Sequence, residues 1–278
     1  MASQYNSNLK TLGPRSAQLY TELQERRRST FTLEDVSAIT GLSGAAARGL
    51  VHKAQSRGLV TRLKPGLYNL VPFELGRATE YVGSPYLIAR ELAGDAVYFL
   101  SHGTALEIHR MTTQPTLAVY VSCTRRLRAQ TVGGYDYKFI HINPEHSFGQ
   151  MRHWIDKEQF VQVSDMERTV IDGLRQPAYV GGVTEVAKGV WMQHQALQID
   201  RLVGYAVRLG VGAVVRRLGF LLEHYELADA AALAPLRAAL TSTYQRLDPL
   251  LPDEGAFLSR WKLRLNVTPE ELDAVRLG

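Results

Sequence analysis

Residues 44–57 hold the densest set of side chains able to do chemistry. Read as a helix, the 3.6-residue period puts Ala45, Arg48, Gly49, His52 and Lys53 on one stripe. Ala46, Leu50, Val51 and Ala54 then face a core. The first stripe is small, donor-rich and cationic. Small side chains let a helix approach base edges closely, and an arginine reaches guanine bidentately, so the stripe suits the major groove of duplex DNA. Ser43 stands at the expected cap, and Arg62 and Lys64 follow where phosphate contacts are expected. The candidate DNA-contacting residues are therefore Ser43, Ala45, Arg48, His52, Lys53, Arg62 and Lys64. A solvated helix face, or a module that touches only protein, would carry the same stripe.

Charge supports the first reading. Residues 1–72 hold ten Lys/Arg against four Asp/Glu, a net +6, while the remaining 206 residues hold 22 and 23, a net −1. A basic head on a nearly neutral body suits a polyanion at one end. A second cluster, Arg125, Arg126 and Arg128, lies in an expected loop and offers additional basic contacts.

Other reactive residues carry less. Ser101-His102, with Glu107 nearby, has the types of a nucleophile and base, but chain neighbours rarely face each other and no Gly-x-Ser-x-Gly surrounds them. They read as a strand end capping a helix from Thr104. Asp165, Glu167, Arg168 and Asp172 share helical spacing. Glu167 and Arg168 are candidates for catalysis or phosphate binding. The structural reading is a capping box from Ser164 to Glu167 and a buried ion pair, which makes both residues architectural. His141, His146 and His153 have no carboxylate at a metal-ligand spacing. Gly133-Gly134 and Gly181-Gly182 lack the Lys-Ser/Thr ending of a phosphate loop, and there is no His-Glu-x-x-His. No catalytic residue, metal or cofactor is expected.

The elements that position these residues follow from local signals. Pro14 can open a helix carrying Leu19, Tyr20 and Leu23. Thr32 caps a second through the Asp35 amide, and Gly41 ends it. Ser43 opens the third, which Gly58 stops. Residues 59–63 and 66–70 then read as two strands around Lys64-Pro65. This order is that of a winged helix-turn-helix over residues 1–72. In residues 73–278 helices are expected at 81–92 and 104–109, and strands at 96–100, 117–121, 137–142 and 160–163. After about residue 182 the chain turns mainly helical, over 183–195, 200–209, 212–225 and 231–242, with one last strand at 258–265. The fold class is α+β: a winged helix-turn-helix, then a mixed α/β domain with a mostly helical C-terminal part.

Composition excludes broader classes. The 278 residues are 45% hydrophobic and 21% charged, which fits roughly two packed domains and excludes disorder as the main state. No apolar run reaches the roughly 20 residues of a membrane-spanning helix. Met1 to Lys10 is polar, without the apolar stretch of a secretory signal. The single cysteine, Cys123, excludes a disulfide framework and fits a reducing cytoplasm.

Several segments, in order along the chain, resemble the AbiEi-type antitoxins of type IV toxin–antitoxin (abortive infection) systems. They are Arg57-Gly58-Leu59-Val60, Gly66-Leu67-Tyr68-Asn69-Leu70, residues 98–106 (Tyr98 through Ser101-His102-Gly103 to Leu106) and 163–172 (Val163-Ser164-Asp165 through Glu167-Arg168 to Asp172). Gly181-Gly182, Arg217-Leu218-Gly219-Phe220 and Trp261-Lys262-Leu263-Arg264-Leu265-Asn266 complete the set. The resemblance implies a winged-helix repressor acting at operator inverted repeats of its own promoter. Its C-terminal domain would oppose a nucleotidyltransferase-like toxin encoded next door. Two other readings stand beside it: a ligand-responsive winged-helix transcription factor without a toxin, which needs an enclosed pocket within residues 80–200, and a DNA-acting enzyme, which needs clustered carboxylates.

Overall fold

The computed structural model describes residues 10–276. Apart from Lys10, the polar N-terminal segment lies outside the described residues. The chain divides into two compact units. The first runs to Gly94 and includes Gln130–Asp136 and Trp154–Val161; the second comprises Asp95–Ala129, Tyr137–His153 and the chain from Gln162 onward. Residues 1–72 thus form part of a somewhat larger unit.

The first unit builds α1 (Pro14–Glu25), β1 (Thr30–Thr32), α2 (Leu33–Thr40), α3 (Gly44–Ser56), β2 (Val60–Lys64), β3 (Leu67–Leu70) and α4 (Pro85–Ala93). The three strands form an antiparallel sheet in the order β1-β3-β2. Leu19, Leu23, Phe31, Val36, Ala47, Val51, Ala54 and Leu59 make the core beneath the helices. Local chemistry explains the boundaries. Pro14 occupies the first turn of α1, where its missing N–H costs nothing. Thr32 and Asp35 form a complete capping box at α2, and Gly41, at φ +68°, ends that helix in the left-handed conformation. Ser43 does precede α3, but its side chain caps no amide. On α3 the expected inward residues Val51 and Ala54 are buried and Leu50 is half-buried, but Ala47 rather than Ala46 completes the buried face, and Ala46 is exposed. α4 starts at Pro85 rather than Tyr81 because Gly83 takes φ +84° just before it.

Next come β4 (Tyr98–Leu100), α5 (His102–Ile108), β5 (Ala118–Cys123), β6 (Gln130–Val132), β7 (Tyr135–His141), β8 (Gln150–Trp154) and β9 (Phe160–Ser164). The sheet order is β6-β7-β5-β4-β9-β8, with β4 antiparallel to β5 and parallel to β9. The expected loop at 125–134 is partly a hairpin, since β6 precedes β7 across Gly133-Gly134, both at positive φ. β8, which carries His153, has no clear apolar alternation and escapes the sequence reading.

The remainder is α6 (Met166–Arg175), α7 (Val183–Met192), α8 (Ile199–Leu209), α9 (Gly212–His224), α10 (Ala230–Ala238), β10 (Gln245–Arg246), β11 (Ala256–Leu258), β12 (Leu263–Leu265) and α11 (Pro269–Ala274). Its core gathers Val170, Ile171, Val186, Leu202, Leu218, Leu221 and Trp261. Gly219 lets α9 meet the indole of Trp261; a Cβ there would stand 2.2 Å from the ring. The expected strand at 258–265 is instead a hairpin: Leu258 pairs with Leu263, and Lys262 takes φ +52° in the turn. The chain is mixed α+β as expected, and among the described residues no helix is long and apolar enough to cross a membrane.

Candidate nucleic-acid interface

The outward stripe of α3 is set by what holds α2 and α3 in place. Arg15 Nη1 donates to the Thr40 carbonyl at 3.0 Å and Gln18 Nε2 to the Ile39 carbonyl at 2.9 Å, so α1 satisfies orphan acceptors at the end of α2. Val36 is buried on α2, and Ala47, Val51 and Ala54 on α3. Burying those three turns Ala45, Arg48, Gly49, His52 and Lys53 to solvent together, and all five are exposed. Arg48 lies back along the helix, so that a Cβ at Gly44 would touch its Nη1 at 3.7 Å. Nothing lies within 4 Å of where a Gly49 Cβ would stand, which leaves the middle of the stripe open to close approach.

The hairpin expected to serve as a wing is formed by β2 and β3, which turn at Pro65-Gly66 with Gly66 at φ +82°. Arg62 is exposed, and the register shifts between Arg62 and Lys64. Lys64 is half-buried and donates from Nζ to Gln130 Oε1 at 2.8 Å. Burial holds its ammonium below the usual lysine pKa.

The net charge of the head resolves into two populations. Arg26 pairs with Glu22 at 2.6 Å, Arg27 with Glu158 at 3.1 Å, and Arg28 with Asp35 at 2.8 Å and Glu91 at 3.2 Å. Arg48, Lys53, Arg57 and Arg62 make no ion pair among the described residues. The Arg26–Arg28 run is therefore largely neutralised; of the cations without an ion pair, Lys10 and Arg15 donate to the Pro72 and Thr40 carbonyls, and Arg48, Lys53, Arg57 and Arg62 stand exposed on α3, its end and the hairpin. Ser43, exposed at the α3 N-terminus, leaves its hydroxyl free of a capping bond. In the second unit Arg125 pairs with Asp95 at 2.7 Å, while Arg126 and Arg128 are exposed.

The other reactive residues are placed as follows. Asp165, not Ser164, caps α6, accepting from the Arg168 amide at 2.7 Å. Ser164 Oγ is 2.8 Å from Thr169 Oγ1. With the cap one residue later, Glu167 cannot close a capping box; its Oε1 accepts from the Gln198 amide at 2.8 Å and its Oε2 lies 3.7 Å from Arg201. The expected buried ion pair is present: Arg168 Nε donates to Asp172 Oδ1 at 2.9 Å.

Ser101 and His102, though neighbours, do face each other. His102 takes φ +51°, which swings its ring back so that Nδ1 lies 2.9 Å from Ser101 Oγ, while Ser122 Oγ donates to the same oxygen at 2.8 Å. The helix begins at His102 rather than Thr104, and the Ser101 side chain caps no amide. Ser101, His102 and Ser122 are each at most 1% exposed, so no substrate reaches the hydroxyl. Among the described residues no three His, Cys, Asp or Glu side chains gather as a metal site.

Burial keeps His102 below the usual histidine pKa, and burial with His109 nearby does the same for His153. A histidine depressed in the folded state favours folding fully above its unfolded pKa of about 6.5, and that contribution is lost as pH falls below it. Thermal stability is therefore expected to drop between about pH 7.5 and 5.5. His102→Asn, which tolerates the left-handed backbone, should flatten much of that decline. Melting curves across this range check it; an unchanged slope in the variant contradicts it.

The segment 18–71, spanning α1 to the end of the wing, matches the family described as transcriptional regulator, AbiEi antitoxin. No curated protein matches the chain. Among solved structures it is similar to the Rv2827c protein from Mycobacterium tuberculosis, with 14% identity and a TM-score of 0.67 over 98% of this chain and 97% of that one. At that identity the likeness is one of fold. Residues 18–71, which carry the exposed cations of α3 and the β2–β3 hairpin, are thus similar to the AbiEi antitoxin family of transcriptional regulators.

Proposed function

We propose that this chain binds the operator of its own promoter and represses it, and that it opposes a nucleotidyltransferase-like toxin encoded beside it. The stripe Ala45, Arg48, Gly49, His52 and Lys53 enters the major groove, with Ser43 at its leading end. Arg62, and more weakly Lys64, reach phosphates from the wing. Arg126 and Arg128 are additional contacts, and Arg125 joins them only by giving up Asp95. Residues 1–72 act as the DNA-binding head and residues 73–278 as the antitoxic body in the cytoplasm, with Glu167 and Arg168 holding that body together. The observation that carries the reading is that the Arg26–Arg28 run is ion-paired while Arg48 and Lys53, exposed and without an ion pair, share the face of α3 a recognition helix would use, with Arg62 exposed on the hairpin after it.

The test is a titration of full-length protein against its own promoter DNA at increasing salt. The logarithm of the binding constant is expected to fall linearly with the logarithm of salt concentration, with a slope of about 0.9 per neutralised phosphate. A scrambled inverted repeat is expected to bind more weakly at every salt concentration. Absence of any complex at low salt overturns the DNA-binding half. Co-expression with the neighbouring gene product tests the other half, since cells expressing that product are expected to grow only when this chain is present too.

A further inference from the structure

The small C-terminal sheet and α9 line an open cavity of about 420 Å³, within the range of small-molecule sites. Three arginines line it: Arg217 from α9, Arg246 from β10 and Arg264 from β12. Asp253 is the acid in the lining, and it is paired to Arg264 at 3.1 Å. Arg217 is 4% exposed and makes no ion pair among the described residues. Its Nη1 donates to the Leu174 carbonyl and its Nη2 to the Arg246 carbonyl, while its Nε has no hydrogen-bond partner. Burial pulls its pKa down to about 10. The neighbouring carboxylate, Asp248, is already used by the Val183 and Leu250 amides.

A buried guanidinium without a counter-ion is costly unless an anion completes it. The two carbonyls that Arg217 satisfies are neutral and leave its charge without a counter-ion. The rim adds a second chemistry. Tyr244 and Phe257 meet edge to face at 5.2 Å, and Phe257 is 63% exposed, an unusual placement for so large an apolar ring. Arg264 lies 5.2 Å from the Phe257 ring centroid and Lys262 lies 5.3 Å from that of Tyr244. Cationic forks beside exposed aromatic faces are the combination that holds a phosphate and a nucleobase together.

We propose that this cavity binds a free nucleotide, its phosphates against Arg217, Arg246 and Arg264 and its base against Tyr244 and Phe257. The phosphates displace Asp253, whose pairing with Arg264 is exposed to solvent and screened. The site lies wholly in the second unit and is independent of the operator-binding surface.

Calorimetric titration of the full-length protein with ATP, GTP, CTP and UTP tests it, with pyrophosphate and adenosine as the two halves of the ligand. At least one nucleotide is expected to bind with Kd below about 1 mM, and each half at least about tenfold more weakly. Phe257→Ala, at an exposed position that keeps the fold, should weaken the nucleotide about tenfold and leave pyrophosphate unchanged. Arg246→Gln should weaken both. The proposal is overturned if no nucleotide binds at about 1 mM, or if both variants bind as the parent does. It is equally overturned if a single-stranded oligonucleotide binds at this patch while free nucleotides do not.

Discussion

Arg168→Ala is expected to destabilise the protein by about 3–5 kcal/mol, a large share of the roughly 5–15 kcal/mol that holds a typical domain folded. Arg168 is wholly buried, with its Nε and Nη1 partnered and its Nη2 left without a hydrogen-bond partner among the described residues. Nε donates to Asp172 at 2.9 Å, Nη1 donates to the His146 carbonyl at 2.8 Å and the Phe148 carbonyl at 3.3 Å, and the plane lies 4.4 Å from the Phe148 ring centroid. Truncation removes the packing and leaves Asp172, 2% exposed, as an uncompensated buried carboxylate. It also orphans the two carbonyls of the segment leading into β8. Replacing both charges, Arg168→Met with Asp172→Leu, should cost far less than Arg168→Ala alone, because the penalty lies in the unpaired charge. Urea unfolding of the two variants decides the matter. A loss under about 1 kcal/mol for Arg168→Ala would show that the pair contributes little and reopen a functional role for this helix.

How far the molecule was legible follows from which signals are local. The Thr32–Asp35 capping box and the Gly41 stop involve residues within a few positions, so the turn into α3 could be read directly. Which alanine of α3 turns inward could not, because Ala46 and Ala47 are the same residue type and only tertiary packing puts Ala47 in the core. Ser164 and Asp165 are likewise both competent caps; Ser164 is drawn off by Thr169 and by the Leu100 carbonyl at 3.4 Å, leaving Asp165 to cap. Positive φ at non-glycine residues carries only a weak sequence mark. That is why the facing of His102 on Ser101, and the turn at Lys262 that folds 256–265 into a hairpin, were missed. The candidate interface was legible as a set of residues. Its electrostatics were not, since Arg27 is neutralised by Glu158, 131 positions away, and Lys64 is occupied by Gln130.

That division of the head's cations makes the second large effect. The triple variant Arg48→Ala, Lys53→Ala, Arg62→Ala is expected to abolish operator binding at physiological salt and to lower the salt slope by about two to three phosphates. The triple change removes no ion pair seen among the described residues, and all three side chains are exposed, so its melting temperature should stay close to that of the parent. Within the triple, Arg48→Ala alone should cost about 1–3 kcal/mol, roughly 5- to 150-fold, and relax preference at one base pair, as loss of a bidentate guanine contact does. Arg62→Ala should weaken all sequences alike and reduce the slope by about one. Lys64→Ala should do less than Arg62→Ala, because its ammonium is partly desolvated and already donates to Gln130. By contrast, Arg26→Ala and Arg27→Ala, whose charges are met by Glu22 and Glu158, should leave the slope nearly unchanged although they lie in the most basic run of the sequence. Anisotropy titrations of the variants against operator and scrambled duplexes separate these outcomes. If the Arg26 and Arg27 variants lose as much affinity as the triple variant, charge density rather than the α3 face governs binding, and the recognition surface has been misplaced.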